Sequence, residues 1–91
     1  MRLRILGRCW GFREVPNLNG RYGDCDDPKT PGKEIRIEQG LTGEKRLEVI
    51  LHEGLHAAAF EMFDEEFVKE LSRDLARALY RTGYRDSRAN S

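Results

Sequence analysis

Hydrophobic and polar positions change rhythm once along this chain, near residue 43. Before that point short apolar alternations with a period of two are separated by glycine- and proline-rich stretches. "RLRIL" sets Leu3 and Ile5 on one face of a short strand. "CWGFREV" reads as a second strand, with Gly11 marking a bulge or a close backbone approach. "KEIRIEQ" places Ile35 and Ile37 opposite Glu34, Arg36 and Glu38, a half-buried strand whose polar face suits a sheet edge. The intervening "PNLNGRYGDCDDPKTPG" is turn-rich and is expected to be loop, with Asn19-Gly20 a hairpin tip and "GDCDD" a solvated turn.

After residue 43 the period lengthens to that of a helix. Thr42 is the expected N-cap, and Glu44 and Glu48 suit the early turns through the helix dipole. Leu47, Ile50, Leu51, Leu55 and Ala58 make a stripe, while Val49, Phe60 and Phe63 carry apolar character around the helix. This is the pattern of a central helix packed on several sides. Gly54, beside Ala57, Ala58 and Ala59, suggests that something approaches its backbone closely. A break near Met62 leads to Asp64, a natural N-cap for "EEFVKELSRDLARALYRTG". Val68, Leu71, Leu75, Ala78 and Leu79 form its apolar stripe, and Gly83 stops it, with Tyr84 folding back onto the last turn. The expected fold class is α+β: a small N-terminal antiparallel or mixed β-sheet packed by a central helix and an antiparallel C-terminal helix. The expected layout is a single domain over 1–91, with strands and loops in 1–43, helices over 44–63 and 65–82, and a flexible polar tail over 85–91.

Composition narrows the function classes. Sixteen basic side chains balance sixteen acidic ones and are scattered, which argues against a nucleic-acid partner. No apolar run approaches the roughly 18–20 residues that span a bilayer, and the first residues lack a signal-peptide core, so no membrane partner and a cytoplasmic location are expected. Cys9 and Cys25 form no C-x-x-C pair and read as reduced thiols.

Candidate chemistry gathers in one place. The chain has two histidines, and both lie in "EVILHEGLHAAAF", four residues apart. On a helix His52 and His56 present their imidazoles from successive turns, the spacing of two corners of a tetrahedral zinc site. Glu53 lies about 100° round from His52 and is placed to reach a water rather than the metal. Ordinary core histidines would need hydrogen-bond partners that Val49, Ile50, Leu51, Leu55 and Ala57 do not offer. A metal ion supplies the missing partner for the imidazoles and the carboxylate together.

"HEGLH" in an apolar helix, after an edge-like strand and before an acidic helix start, resembles the zincin metallopeptidases. Over about 35–84, "GLTGEKRLEVILHEGLHAA" and "DEEFVKELSRDLARALYRTGY" are similar to small uncharacterised H-E-x-x-H proteins of phage and bacterial genomes. The resemblance implies a zinc-dependent peptidase of peptide or protein substrates: Zn2+ on His52 and His56, and Glu53 as general base for a metal-activated water. It also implies a third protein ligand. With no third histidine, that ligand is a carboxylate, as in glutamate-ligand zincins, or a cysteine. Glu65 shares the core-facing side of the last helix and is favoured; Glu66, Asp64 and Asp74 stand behind it. Asp74 is also placed to accept a hydrogen bond from the non-ligating nitrogen of His52, or else to pair with Arg73, Arg77 or Arg81. Tyr22, Tyr80, Tyr84 and Arg81 are the available oxyanion donors, and "EIRIE" is either a rail for an extended peptide or an ordinary solvated edge. Two further readings stay open. One is a zinc-binding regulatory or protein-interaction module whose peptidase activity has lapsed; the other is a metal-free helical hairpin on a small sheet.

Overall fold

Leucine at position 6 and glycine at position 7 both take left-handed backbone angles, φ 49° and 77°, and so close a two-residue turn. In this computed structural model, which describes residues 1–85, the turn joins β1 (Arg2–Ile5) to β2 (Arg8–Val15), paired antiparallel with Leu3 opposite Trp10. The later strands are β3 (Gly23–Cys25) and β4 (Glu34–Glu38), followed by α1 (Gly43–Ala58) and α2 (Glu65–Arg81). The sheet is mixed, in the order β1-β2-β4-β3: β2 runs parallel to β4, and β3 antiparallel to it. The fold is therefore α+β, a four-stranded mixed sheet followed by two helices.

Two expectations for the first half are corrected by that strand order. β4, the "EIRIE" segment, lies inside the sheet rather than at its edge, because "GDC" is not a solvated turn but the edge strand β3. The polar face of β4 looks like an edge in sequence because it is the outer face of the sheet. There Arg36 binds Asp24 at 2.8 Å, Asp26 at 2.6 Å and Glu34 at 3.1 Å. Asn19-Gly20 does turn through left-handed angles, but β2 and β3 are separated by β4, so the turn makes no hairpin. Gly11 sits in unbroken pairing, where a Cβ would come within 3.2 Å of the Glu34 side chain; it marks a close approach, not a bulge.

Trp10, Phe12, Ile35 and Ile37 point from the inner face of the sheet onto Val49 and Ala57 of α1. On its other side α1 carries α2, so the central helix is shared between two layers. The stripe that α1 buries is Val49, Glu53 and Ala57, while Leu47, Ile50, Leu51, Leu55 and Ala58 are half-buried. On α2 the buried positions are Val68, Ser72 and Ala76; Leu75 is 39% exposed and Ala78 is exposed. The expected leucine stripe therefore lies partly open. Small side chains at Ser72 and Ala76 form the contact line of a helix that packs chiefly against one other helix.

Helix ends follow local chemistry closely. Asp64 accepts from the Phe67 amide at 2.7 Å, whereas Thr42 occupies the N-cap of α1 without a side-chain cap bond. α1 stops at Ala58, short of the expected 63. At the other end, Tyr84 N–H bonds Leu79 O at 3.1 Å and Gly83 N–H bonds Tyr80 O at 3.2 Å, with Gly83 at φ 108°. That is the Schellman arrangement, and it is why Gly83 ends α2. Apart from Arg85, the tail expected over 85–91 lies outside the described residues. Among the described residues no helix is long and apolar enough to cross a membrane.

The Arg36 cluster makes stability depend on acid. Hydrogen bonding from Arg36 holds the Asp26 carboxyl below its ordinary value of 3.8. A carboxylate with a depressed folded-state pKa contributes stability that is full above the unfolded value and is lost as pH falls through the folded one. Arg36→Met should lower stability at pH 7 by about 1–2 kcal/mol. It should also remove much of the drop in melting temperature that the wild type shows below about pH 4. Thermal melts of both proteins between pH 3 and pH 7, followed by circular dichroism, check this.

Candidate metal centre

His52 and His56 stand on successive turns of α1, their ring centroids 4.8 Å apart and their planes at 62°. The helix then ends abruptly. Ala59 leaves helical geometry, the Met62 amide bonds Ala59 O at 3.0 Å, and Glu61 takes a left-handed φ of 65°. Glutamate adopts that conformation at a cost, so the reversal is held in place by the docking of α2 against α1. Asp64 caps α2, and Glu65, its first residue, is delivered against both imidazoles.

The contacts are close. Glu65 Oε1 lies 2.8 Å from His52 Nε2, Glu65 Oε2 lies 2.9 Å from His56 Nε2, and the two Nε2 atoms are 3.2 Å apart. Among the described residues, His52, His56 and Glu65 are the group of ligand-type side chains able to hold a metal ion. Donor atoms around a tetrahedral zinc lie roughly 3.3 Å apart, given Zn–N distances near 2.0–2.1 Å. Two imidazole nitrogens and one carboxylate at these separations fit such an ion, and the open cleft above them leaves room for a fourth position.

Glu53 points elsewhere. Set round the helix from His52, it faces the edge strand β3 and is only 7% exposed. A Cβ at Gly23 would lie 2.9 Å from Val49 Cγ1, 3.0 Å from Glu53 Cγ and 3.1 Å from Glu53 Oε2. β3 can therefore lie over this carboxylate only because residue 23 has no side chain. Burial raises the Glu53 pKa to about 7, helped by the charges of Asp24 and Glu65 and opposed by Arg21. Glu53 thus exchanges a proton near neutrality, as a general base or acid requires.

Glu53, His52, His56 and Glu65 line one cleft of about 720 Å³, walled by β3, α1 and the start of α2. Tyr22, Asp24, Cys25, Phe60, Glu66 and Lys69 complete much of its lining. Of the four oxyanion candidates, Tyr22 reaches this cleft, with the Lys45 ammonium 4.4 Å above its ring. Tyr80 and Tyr84 line a separate small pocket with Arg46. Comparison of the chain with protein-family models, curated proteins and solved structures returns no match.

Other candidates fall in different places. Asp64 is used as the cap, and Glu66 forms cleft wall without joining the three donors. Asp74 does not support His52: it is exposed, with its carboxylate 3.7 Å from Arg73 Nε. The residue beside His52 Nδ1 is Ser72, whose Oγ lies 3.5 Å away. Counting back along antiparallel helices finds the correct turn of α2, and two residues of error move a side chain to another face. Nor does anything approach Gly54, where a Cβ would meet nothing within 4 Å; the close approach to this helix is made at Gly23. Glycine inside "YGDC" carries that signal in sequence, but it is indistinguishable there from a turn glycine.

Burial of Glu53 has a stability consequence in metal-free protein. A carboxyl whose folded pKa is raised from 4.5 to about 7 favours folding while protonated. It turns unfavourable as pH rises through that interval. Glu53→Gln should stabilise chelator-treated protein by roughly 2 kcal/mol at pH 8 and leave it nearly unchanged at pH 4. Urea unfolding at both pH values checks this; an equal shift at both would mean that Glu53 is not held in a charge-disfavouring site.

Proposed function

We propose that this chain is a minimal zinc-dependent peptidase of the zincin type, hydrolysing peptide bonds in a peptide or protein substrate. The observation that carries the reading is the convergence of His52 Nε2, His56 Nε2 and the Glu65 carboxylate, in the same cleft as a buried Glu53. Two imidazoles and one carboxylate with an open fourth position make a donor set that suits zinc. When bound it supplies Lewis acidity, polarising a carbonyl and easing deprotonation of water.

The chain's own residues supply the rest. His52, His56 and Glu65 hold the ion. Glu53, with its pKa near 7, accepts a proton from water and returns one to the leaving amine. Tyr22, which lines the cleft, is the residue we assign to donate to the carbonyl oxygen. Burial by β3 keeps bulk water from stabilising the Glu53 carboxylate, which makes it a stronger base than an exposed glutamate. Both cysteines are free thiols, which suits the cytoplasmic location we assign to the protein.

Untagged protein should carry one zinc per chain by elemental analysis. Glu65→Ala should weaken zinc binding by at least about tenfold. On a peptide library, Glu53→Gln should retain the metal and lose roughly 10²–10⁴-fold in kcat/KM. Zinc retained with wild type and Glu53→Gln equally inert identifies a lapsed, zinc-binding interaction module. Wild-type protein that takes up no zinc removes the metal reading altogether.

A further inference from the structure

Hydrogen bonds alternate along the β1–β2 hairpin. The Phe12 amide bonds Met1 O at 2.8 Å, while the Gly11 amide turns the other way, to Lys33 O at 3.0 Å. In an antiparallel ladder every second pair of opposed residues exchanges no hydrogen bonds. Arg2 faces Gly11 and Arg4 faces Cys9, so both belong to that kind. Their N–H and C=O groups therefore point out of the sheet edge that β1 forms, the edge remote from β3. The side chains of Arg2 and Arg4 lie exposed on the outer face, and Leu3 and Ile5 alternate with them onto the core.

Other arginines of that outer face are paired, Arg13 with Glu34 at 2.9 Å and Arg36 with Asp24 at 2.8 Å. Among the described residues neither Arg2 nor Arg4 has a carboxylate partner; Arg2 meets Cys9 Sγ at 3.3 Å. The inner side of this edge is open too. α1 touches β1, and round that helix Val49 and Glu53 face Gly23 of β3. Gly54 lies on the side away from them, one turn after Ile50, and a Cβ there would meet nothing within 4 Å.

We propose that the β1 edge accepts an extended segment of a partner protein as a fifth strand, one that alternates acidic with apolar residues. Main-chain groups of Arg2 and Arg4 bond the added strand, and their guanidinium groups meet its carboxylates on the outer face. Its apolar residues continue the inner face beyond Leu3 and Ile5, toward the space beside Gly54. Charge selects this occupant. Pairing β1 with a second copy of itself sets arginine against arginine, and like charges directly opposed are destabilising. A nucleic-acid strand would meet the carboxylates of Asp24 and Glu34 on the same outer face. The proposal stands apart from the metal centre, whose cleft is walled by β3 at the other edge.

Two short peptides serve as probes, one of strictly alternating Glu and Val and one of strictly alternating Lys and Val. Each is titrated onto the full chain at low ionic strength and followed by ¹⁵N–¹H spectra and amide exchange. The Glu/Val peptide should bind roughly tenfold more tightly than the Lys/Val peptide and slow exchange at the Arg2 and Arg4 amides. Arg2→Glu/Arg4→Glu should reverse the preference, and Arg2→Gln/Arg4→Gln should abolish it, with each variant confirmed folded by circular dichroism. The proposal is overturned if neither peptide binds, leaving the two arginines as charges that keep the edge from pairing. It is equally overturned if folded variants keep the wild-type preference, or if binding leaves the Arg2 and Arg4 amides unprotected. A single-stranded oligonucleotide that binds more tightly than the Glu/Val peptide, and loses affinity in Arg2→Gln/Arg4→Gln, replaces it with a nucleic-acid contact.

Discussion

Two ring nitrogens and a carboxylate packed within hydrogen-bonding distance of one another must share protons or a cation to be favourable. That constraint governs the site. His52 Nε2, His56 Nε2 and the Glu65 carboxylate are pressed together by elements that have other reasons to be where they are. The histidine spacing is fixed by the pitch of α1, and α1 is fixed between the sheet and α2. Glu65 is fixed by the Asp64 cap and a reversal in which Glu61 adopts a left-handed φ. Ring N–H groups can serve the carboxylate when no ion is present; a divalent cation would engage all three donors at once.

Glu53 and Glu65 lie in different surroundings. The Glu65 side chain is 68% exposed and lies against both imidazoles, which suits the ligand proposed for it. Glu53 is buried under a glycine strand beside Asp24, which suits a carboxyl that gains and loses a proton near neutrality. The proposed roles, ligand for one carboxylate and base for the other, rest on that difference. Neither assignment comes from residue type alone, and both come from burial.

What could be read from sequence was what is set locally. The two helices, the Asp64 cap, the Gly83 stop and the strands at Leu3, Trp10 and Ile35 depend on near neighbours, and their patterns are plain. The histidine pair and Glu53 were legible because helical pitch converts their spacing into geometry. Strand order was not: alternation in "EIRIE" reports which residues share a face, and the edge is decided by whether "GDC" pairs with it. Likewise the leucine pattern of α2 did not reveal that Val68, Ser72 and Ala76 form its contact line, because that depends on how closely α1 approaches. Asp74 takes its second reading, the ion pair with Arg73, rather than a place beside His52, for the same reason. Carboxylates are the more frequent partners of ligating histidines, but the helix faces decide which residue arrives.

A chain of 91 residues has few stabilising contacts to spare, and this one places a glutamate and a serine among its buried positions. Glu53 occupies the α1 stripe between Val49 and Ala57, where an apolar residue would pack without cost. Ser72 occupies the matching place on α2 between Val68 and Ala76. Both polar intrusions lie at the level of the histidines, and neither is explained by the needs of the fold. The apolar core under the sheet, Trp10, Phe12, Ile35 and Ile37, is continuous and shows no such interruption. Polar residues placed inside a small core at one level only, flanking a set of metal-type donors, are what the proposed centre requires. That localisation is the ground for proposing a centre here rather than two histidines that happen to share a helix face.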